Sequence, residues 1–284
     1  MKRIFSWSYV PVYFLLLIVL PTAGTLLAAY LAIFKGMISW SDIIIFTVMY
    51  VITELGVTVG YHRMLVHQSF QTNPVVKFIF LMLGSMTMQG PAINWASIHL
   101  KHHAFTDDHE DPHSPTMKGW LHSHFGWIFS TTQEEVEEAR KTFGRKFYQD
   151  KLIVFMNNTF FLWTVLGFVI SYLLGGWTGL LWGGFVRLFF TLHVTWSVNS
   201  VCHIFGSRLF NTTDESKNNF VIGLLAMGEG WHNNHHAFPR SAFHGMRWWQ
   251  IDFSGYLIRG MEAIHLVKNV YRVPEKVLAE KAVK

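Results

Sequence analysis

Four long apolar runs divide the chain, at residues 9–34, 43–61, 152–174 and 177–201. A helix rising 1.5 Å per residue needs about 20 residues to cross a ~30 Å hydrocarbon core, so each run is expected to be a spanning helix. The first pair is joined by the stretch from Lys35 to Asp42, room for no more than a tight hairpin, and the second pair by little more than Gly175-Gly176. A shorter apolar stretch, 75–95, contains Gly84, Gly90 and Pro91. Histidines of one pattern flank it, His62 before and His99 after, and a single crossing would put them on opposite sides of a membrane. It is therefore expected to be a re-entrant or interfacial hairpin, with a buried fifth span as the alternative. Thr132 and Glu135 form a capping box ahead of a mixed-charge run that reads as a surface helix. Roughly the last eighty residues hold no convincing span, and Trp248, Trp249 and Tyr256 suggest amphipathic helices at the interface.

Composition agrees with a membrane location. The chain of 284 residues is 51% hydrophobic and 14% charged, where an ordinary soluble domain has about a quarter charged residues. The run from Tyr9 is too long for the 7–15-residue core of a signal peptide and reads as a span. Nine Lys and Arg lie in 62–151 and ten in 203–284, whereas the two hairpin loops hold only Lys35. By the positive-inside rule both termini and the middle segment face the cytoplasm. The net charge of +5 fits bases at a headgroup surface, and no nucleic-acid partner is expected. A lone cysteine, Cys202, leaves no internal disulfide. The expected architecture is all-α: a single domain over 1–284, with four transmembrane helices and a cytoplasmic helical cap built from 62–151 and 203–284.

The candidate chemistry is histidine. From His99 to His113 the chain holds five histidines and four acids. On a helix His99, His102 and His103 fall at i, i+3 and i+4, which puts three imidazoles on one face. A solvated helix face has no need of that spacing. The pattern recurs as His232, His235 and His236. His62 and His67 sit at the cytoplasmic end of the second span, and five residues is about 140° around an α-helix, so that pair is expected to straddle the helix end. On the fourth span Asn199 and His203 are i, i+4. From Trp177 to His203 a helix runs ~39 Å, which carries His203 to the membrane boundary. Nine histidines exceed what one metal can take, so two metals are expected, and nitrogen-rich coordination suits Fe, Zn, Cu or Ni over Mg or Ca. Asp107, Asp108, Asp111 and Glu229 are candidate acceptors for the far ring N–H of ligating histidines, with loop solvation as the bland alternative. His109 and His113 are expected to support and not to ligate, His193 to be an interior polar group, and His244 and His265 to lie at the surface or interface. Glu54 and Arg187 sit inside spans, where charge is costly. Glu54 could line a polar route, and Arg187 could snorkel or pair.

These motifs carry a family resemblance. H-x4-H, two H-x2-HH boxes and N-x3-H, within GYHR, DPH, SHFGW, VNSVCH and GEGWHNNHHAFP, resemble the membrane fatty acid desaturases of the delta-9 type over roughly residues 50–270. The resemblance implies a di-iron centre, four spans with a cytoplasmic cap, and oxygen-dependent insertion of a cis double bond into an acyl chain. It places His62, His67, His99, His102, His103, His203, His232, His235 and His236 at metal-ligand positions and Asn199 where a metal-bound water is held. Zn could substitute for Fe, and O2 is the co-substrate. The substrate would be a fatty acyl-CoA or an acyl-lipid. The chain has no heme or iron–sulfur motif, so electrons would come from a separate ferredoxin or cytochrome b5 type donor. The implied location is multi-pass, in a bacterial inner membrane in preference to endoplasmic reticulum. Ser97 stands where animal acyl-CoA enzymes carry a base, and Phe243 where relatives often have Arg, and both weaken a CoA assignment. A related di-iron hydroxylase or ketolase shares the chemistry; a zinc-dependent lipid hydrolase or receptor-like protein is the reading from another class.

Overall fold

The computed structural model describes residues 10–283, so Tyr9 and the bases Lys2 and Arg3 fall outside it. Helix α1 is Val10–Lys35, and α2 is Trp40–Val66. Gly36 ends α1 at φ 62°, a left-handed cap that glycine adopts without a Cβ penalty. Ser39 and Asp42 form a capping box that starts α2. The 75–95 stretch is two helices, α3 Pro74–Ser85 and the beginning of α4 Ala92–Phe105, joined by a turn at 86–91. The chain thus goes out and returns, and α3 is too short to be a full crossing. The capping box at Thr132 starts α5, Gln133–Thr142.

The third run differs from expectation at its start. Residues from Lys151 form a separate helix, α6 Lys151–Asn158, and Thr159 (φ −100°, ψ 11°) breaks the chain before the apolar helix begins. That helical stretch, α7, is Phe160–Ser200, and it contains the rest of the third expected run and nearly all of the fourth. Gly175 and Gly176 interrupt it with non-helical dihedrals, Gly176 at φ 60°. The chain folds back there: a Cβ on Gly183 would stand 2.8 Å from Ser171 Oγ, and one on Gly184 2.8 Å from the Phe168 ring. Three stretches, α1, α2 and α7, are therefore long and apolar enough to cross a membrane, with α7 doubled into a hairpin. Their outer faces expose Leu26, Ile33, Phe161 and Leu173, which suits lipid and not water.

After α7 come the short helices α8 Phe220–Leu225 and α9 His232–Ala237, then α10 Phe253–Ala263. None of the described residues in this region forms a helix long enough to span. The only ladder among the described residues pairs Gln71 with Lys268 and Thr72 with Val267, antiparallel. The main core surrounds the end of α2: Val59, Tyr61, Met64 and Leu65 meet Phe80 and Leu81 of α3, Ile93 and Ala96 of α4, and Ile258 and Met261 of α10. Tyr50 OH donates to Leu225 O (2.8 Å), and Thr58 and Ser254 share a hydroxyl bond (2.7 Å), tying α2 to the C-terminal segment. Arg187 does not snorkel. It is fully buried, donates from Nη1 to Met86 O (2.7 Å) and from Nε to Gly183 O (3.1 Å), and so holds the α3–α4 turn against α7.

Gly60 lets α2 and α3 approach closely, since a Cβ there would sit 2.9 Å from Phe80 Cβ. Gly60→Ala is expected to overpack this seam at a cost of ~1–3 kcal/mol, read as a lower melting temperature in detergent. An unchanged melting temperature would show that the seam yields freely.

Candidate metal centre

Two groups of imidazoles meet where α2, α4, the end of α7 and α9 converge. In the first, the donor nitrogens of His62, His67, His99, His103 and His235 all lie within 4.8 Å of one another. In the second, so do those of His102, His203, His232 and His236. The nine histidines from the sequence motifs fill both groups. The helical spacing decides the split. On α4, His99 and His103 at i, i+4 enter the first group, while His102 enters the second. On α9 the roles reverse: His232 and His236 at i, i+4 enter the second, and His235 the first. The three imidazoles of each box do not fall in one group, because the middle ring is turned far enough around the helix to reach the neighbouring group.

The first box closes by a route that α-helical geometry does not offer. From Gly56 to Val66 the backbone of α2 winds as a π-helix, and His67 N–H donates to His62 O (3.1 Å), a bond spanning five residues. The wider turn brings the fifth residue back over the first. His67 is the C-terminal cap, so the box does reach the helix end, and the winding juxtaposes the rings, with centroids 4.7 Å apart.

Ring nitrogens show what these groups can hold. Within the first group, Nε2–Nε2 separations are 3.1 Å for His62–His235, 3.3 Å for His67–His99, 3.0 Å for His99–His103 and 2.9 Å for His103–His235. In the second, His203 and His232 are 3.0 Å apart. Carboxylates fix the tautomers. His62 Nδ1 donates to Glu229 (2.7 Å), His102 Nδ1 to Asp111 (3.0 Å), His203 Nδ1 to Asp107 (2.9 Å) and His236 Nδ1 to Asp214 (3.1 Å). With the proton on Nδ1, each Nε2 presents a bare lone pair. His102 Nε2 and His236 Nε2 are buried with no hydrogen-bond partner. Converging lone pairs repel unless a cation stands between them, so this donor set fits two metal ions.

Three of the four expected acids thus meet ring nitrogens: Asp107, Asp111 and Glu229. Asp108 does not. It is exposed, and its carboxylate accepts the His109 N–H (2.6 Å), because it follows a sharp turn at Asp107 (φ 60°) that aims it at solvent. Asn199 is half-buried on the last turn of α7, and its side chain bonds no described residue. Asp214 was missed. It lies in the NTTDESKNN loop, 22 residues before its partner His236, and only the folded chain brings the two together. His244 is also reassigned. It is fully buried, with Nδ1 3.1 Å from Glu229 and its ring 4.6 Å from that of His235. His113 is buried against His102 (4.3 Å), His109 is exposed, and His193 Nδ1 lies 3.0 Å from His124 Nε2.

Glu229 is itself held. Arg63, fully buried, donates from Nε and Nη2 to Glu229 Oε1 (3.2 and 3.1 Å), from Nη1 and Nη2 to Asp252 (3.0 and 2.9 Å), and from Nη1 to Ala242 O (2.8 Å). All five guanidinium N–H groups are used, and the clamp ties α2 to the turn before α10.

A family model described as fatty acid desaturase matches residues 38–259. The chain belongs to the fatty acid desaturase family. It is 38% identical over 257 residues to an sn-1 stearoyl-lipid 9-desaturase of Synechocystis, covering 90% of this chain and 80% of that one. It is 37% identical over 289 residues to a hex-5-enoyl-[acyl-carrier protein] acetylenase of Moorena producens, covering 95% and 88%. An acyl-CoA 5-desaturase of Anemone leveillei is 38% identical over 240 residues, covering 84% and 74%. The protein is thus an oxidoreductase of fatty acyl chains, a membrane protein with histidine clusters suited to metal.

Burial, then repulsion from neighbouring rings, holds the pKa values of His67, His99, His103, His232, His235 and His236 well below the ordinary 6.5, so these rings are neutral and able to ligate. Burial works against the ionised form of Asp107, yet the bond and charge of His203 keep it well below the usual carboxylate range. The imidazoles have depressed folded-state pKa values. Their contribution to stability is therefore complete above the unfolded value of ~6.5 and is lost as pH falls, because the unfolded chain takes up protons first. The melting temperature of metal-free protein is expected to drop between pH 7.5 and 5.5. A flat or rising profile would contradict neutral buried rings.

Proposed function

We propose that the protein is a delta-9 acyl-lipid desaturase. In the balanced reaction –CH2–CH2– with O2, two electrons and two protons gives cis –CH=CH– and two water molecules. The observation that carries this reading is the pair of adjacent imidazole groups, five and four rings, in a chain whose family acts on fatty acyl chains. When bound, two irons would supply the oxidising power that no side chain has. His62, His67, His99, His103 and His235 would hold one, and His102, His203, His232 and His236 the other, with Asn199 placed to bind a water at the second.

The remaining work falls to the chain's own groups. Glu229, Asp111, Asp107 and Asp214 keep Nδ1 protonated on four of the rings, so that Nε2 is free for metal. Trp95 stacks on His99 (centroids 5.0 Å apart, 13° between planes), and its indole N–H donates to Gln89 Oε1 (3.2 Å), while Gln89 Nε2 donates to Thr195 Oγ1 (2.9 Å). This braced indole would hold the His99 ring in place and offer an apolar surface beside the imidazoles for an acyl chain. The α7 hairpin would supply the third and fourth of four crossings, with the histidines on the cytoplasmic side of a bacterial inner membrane and a separate ferredoxin or cytochrome b5 type protein as donor.

A lipid-linked substrate is favoured over a CoA ester. Ser97 is buried, donates to Ile93 O (2.7 Å) and packs against Gly144, so nothing basic stands at that position to meet a nucleotide phosphate. The 9-desaturase of Synechocystis, by its name, acts on a stearoyl-lipid.

Expression in a host lacking its own desaturase, with fatty acids profiled by double-bond position and carrier, is expected to show new delta-9 unsaturation in membrane lipid. Stable, iron-loaded protein without new unsaturation would overturn the reading. His102→Ala is expected to abolish product while membrane insertion is retained, and full activity in that variant would refute the ligand set.

A further inference from the structure

The two imidazole groups differ in what stands behind them. In the second, three of the four rings are backed by carboxylates: His102 by Asp111, His203 by Asp107 and His236 by Asp214. In the first, only His62 among the five is so backed, by Glu229. The charges differ as well. Glu229 is ion-paired to Arg63, which it shares with Asp252, so the one carboxylate behind the first group is partly offset by a cation. Among the described residues no Lys or Arg forms an ion pair with Asp107, Asp111 or Asp214. Their other bonds come from hydroxyls and main-chain N–H groups, such as Ser114 Oγ and Glu215 N to Asp107 (2.7 and 2.9 Å), His113 N to Asp111 (3.0 Å) and Ser216 N to Asp214 (2.9 Å). Lys118 approaches, but it donates to the main-chain carbonyl of Asp111.

Resting on the two-metal reading above, we infer that the centre is unequal: the four-histidine group binds its metal more tightly, fills first, and retains its ion when the five-histidine group has released its own. Each carboxylate raises the basicity of the ring that it backs and places a negative charge a few ångströms from the ion. Losing such a partner typically costs ~10–100-fold in metal affinity. Three carboxylates without a cation partner, against one that is partly offset by Arg63, outweigh one extra neutral imidazole. The second group is also the more rigid, since Asp107 joins the loop after α4 to His203 and to Glu215, and Asp214 is fixed within its own turn. The first group depends on a π-wound helix end for the approach of His67 to His62.

The test is anaerobic titration of full-length metal-free protein in detergent with Co2+ alone, followed by its visible absorption. Two binding steps separated by at least about tenfold are expected. Asp214→Asn should weaken the tighter step by ~10–100-fold and leave the weaker one in place, and Glu229→Gln should do the reverse. Asp111→Asn repeats the first arm on a different ring, should Asp214→Asn fail to fold. Two equal steps in the wild type, or a loss of the tighter step in Glu229→Gln, would overturn the inference while leaving a two-metal centre standing. Binding of fewer than two Co2+ per wild-type chain would overturn both.

Discussion

Everything in this protein is arranged around nine imidazoles that must stay neutral and present their lone pairs inward. Nitrogens 2.9–3.3 Å apart, buried and facing one another, are an unfavourable arrangement without a cation. The fold imposes it by locking ring tautomers from behind with carboxylates, and by anchoring those carboxylates in turn through Arg63, main-chain N–H groups and hydroxyls. Burial that would ordinarily be a liability for a polar group here keeps rings such as His99 and His235 unprotonated and able to bind metal. The same burial makes an incomplete network costly, which is why the supporting residues reach so far along the chain.

The long apolar helices and the segments around the imidazoles pack as one unit. α2 is both a membrane-length helix and the carrier of the first two ring donors, and its last turns form the centre of the main core. Its change to π winding serves the site at that point and nowhere else in α2. Arg187 and the turn after α3 tie the α7 hairpin to the same core, so a displacement of the spans would be felt at the imidazoles.

Much of the site could be read from local spacing, and the exceptions share a cause. The H-x-x-H-H boxes are legible because i, i+3 and i+4 define a helix face. Their division between two groups is not, because it depends on which helix lies opposite: α4 and α9 present the same motif and split it in opposite senses. Asp107, Asp111 and Glu229 stood near the boxes in sequence, whereas Asp214 had no spacing to mark it. Asp108 looked equivalent to its neighbour Asp107 until the turn aimed the two carboxylates in different directions. His244 looked peripheral and is enclosed, because the clamp of Arg63 and Asp252 draws its loop inward and its main-chain N–H onto Asp252 (2.7 Å).

The amino-acid sequence alone determined that the chain is built from membrane-length apolar helices and which nine histidines cluster as candidates for a metal site, since these follow from run length and helical periodicity. Only the tertiary structure decided the assignment of rings to two groups, the π winding that closes the first box, and which carboxylate stands behind each of His62, His102, His203 and His236. Those features depend on contacts between segments up to about 190 residues apart, such as Arg63 with Asp252, which no local pattern encodes.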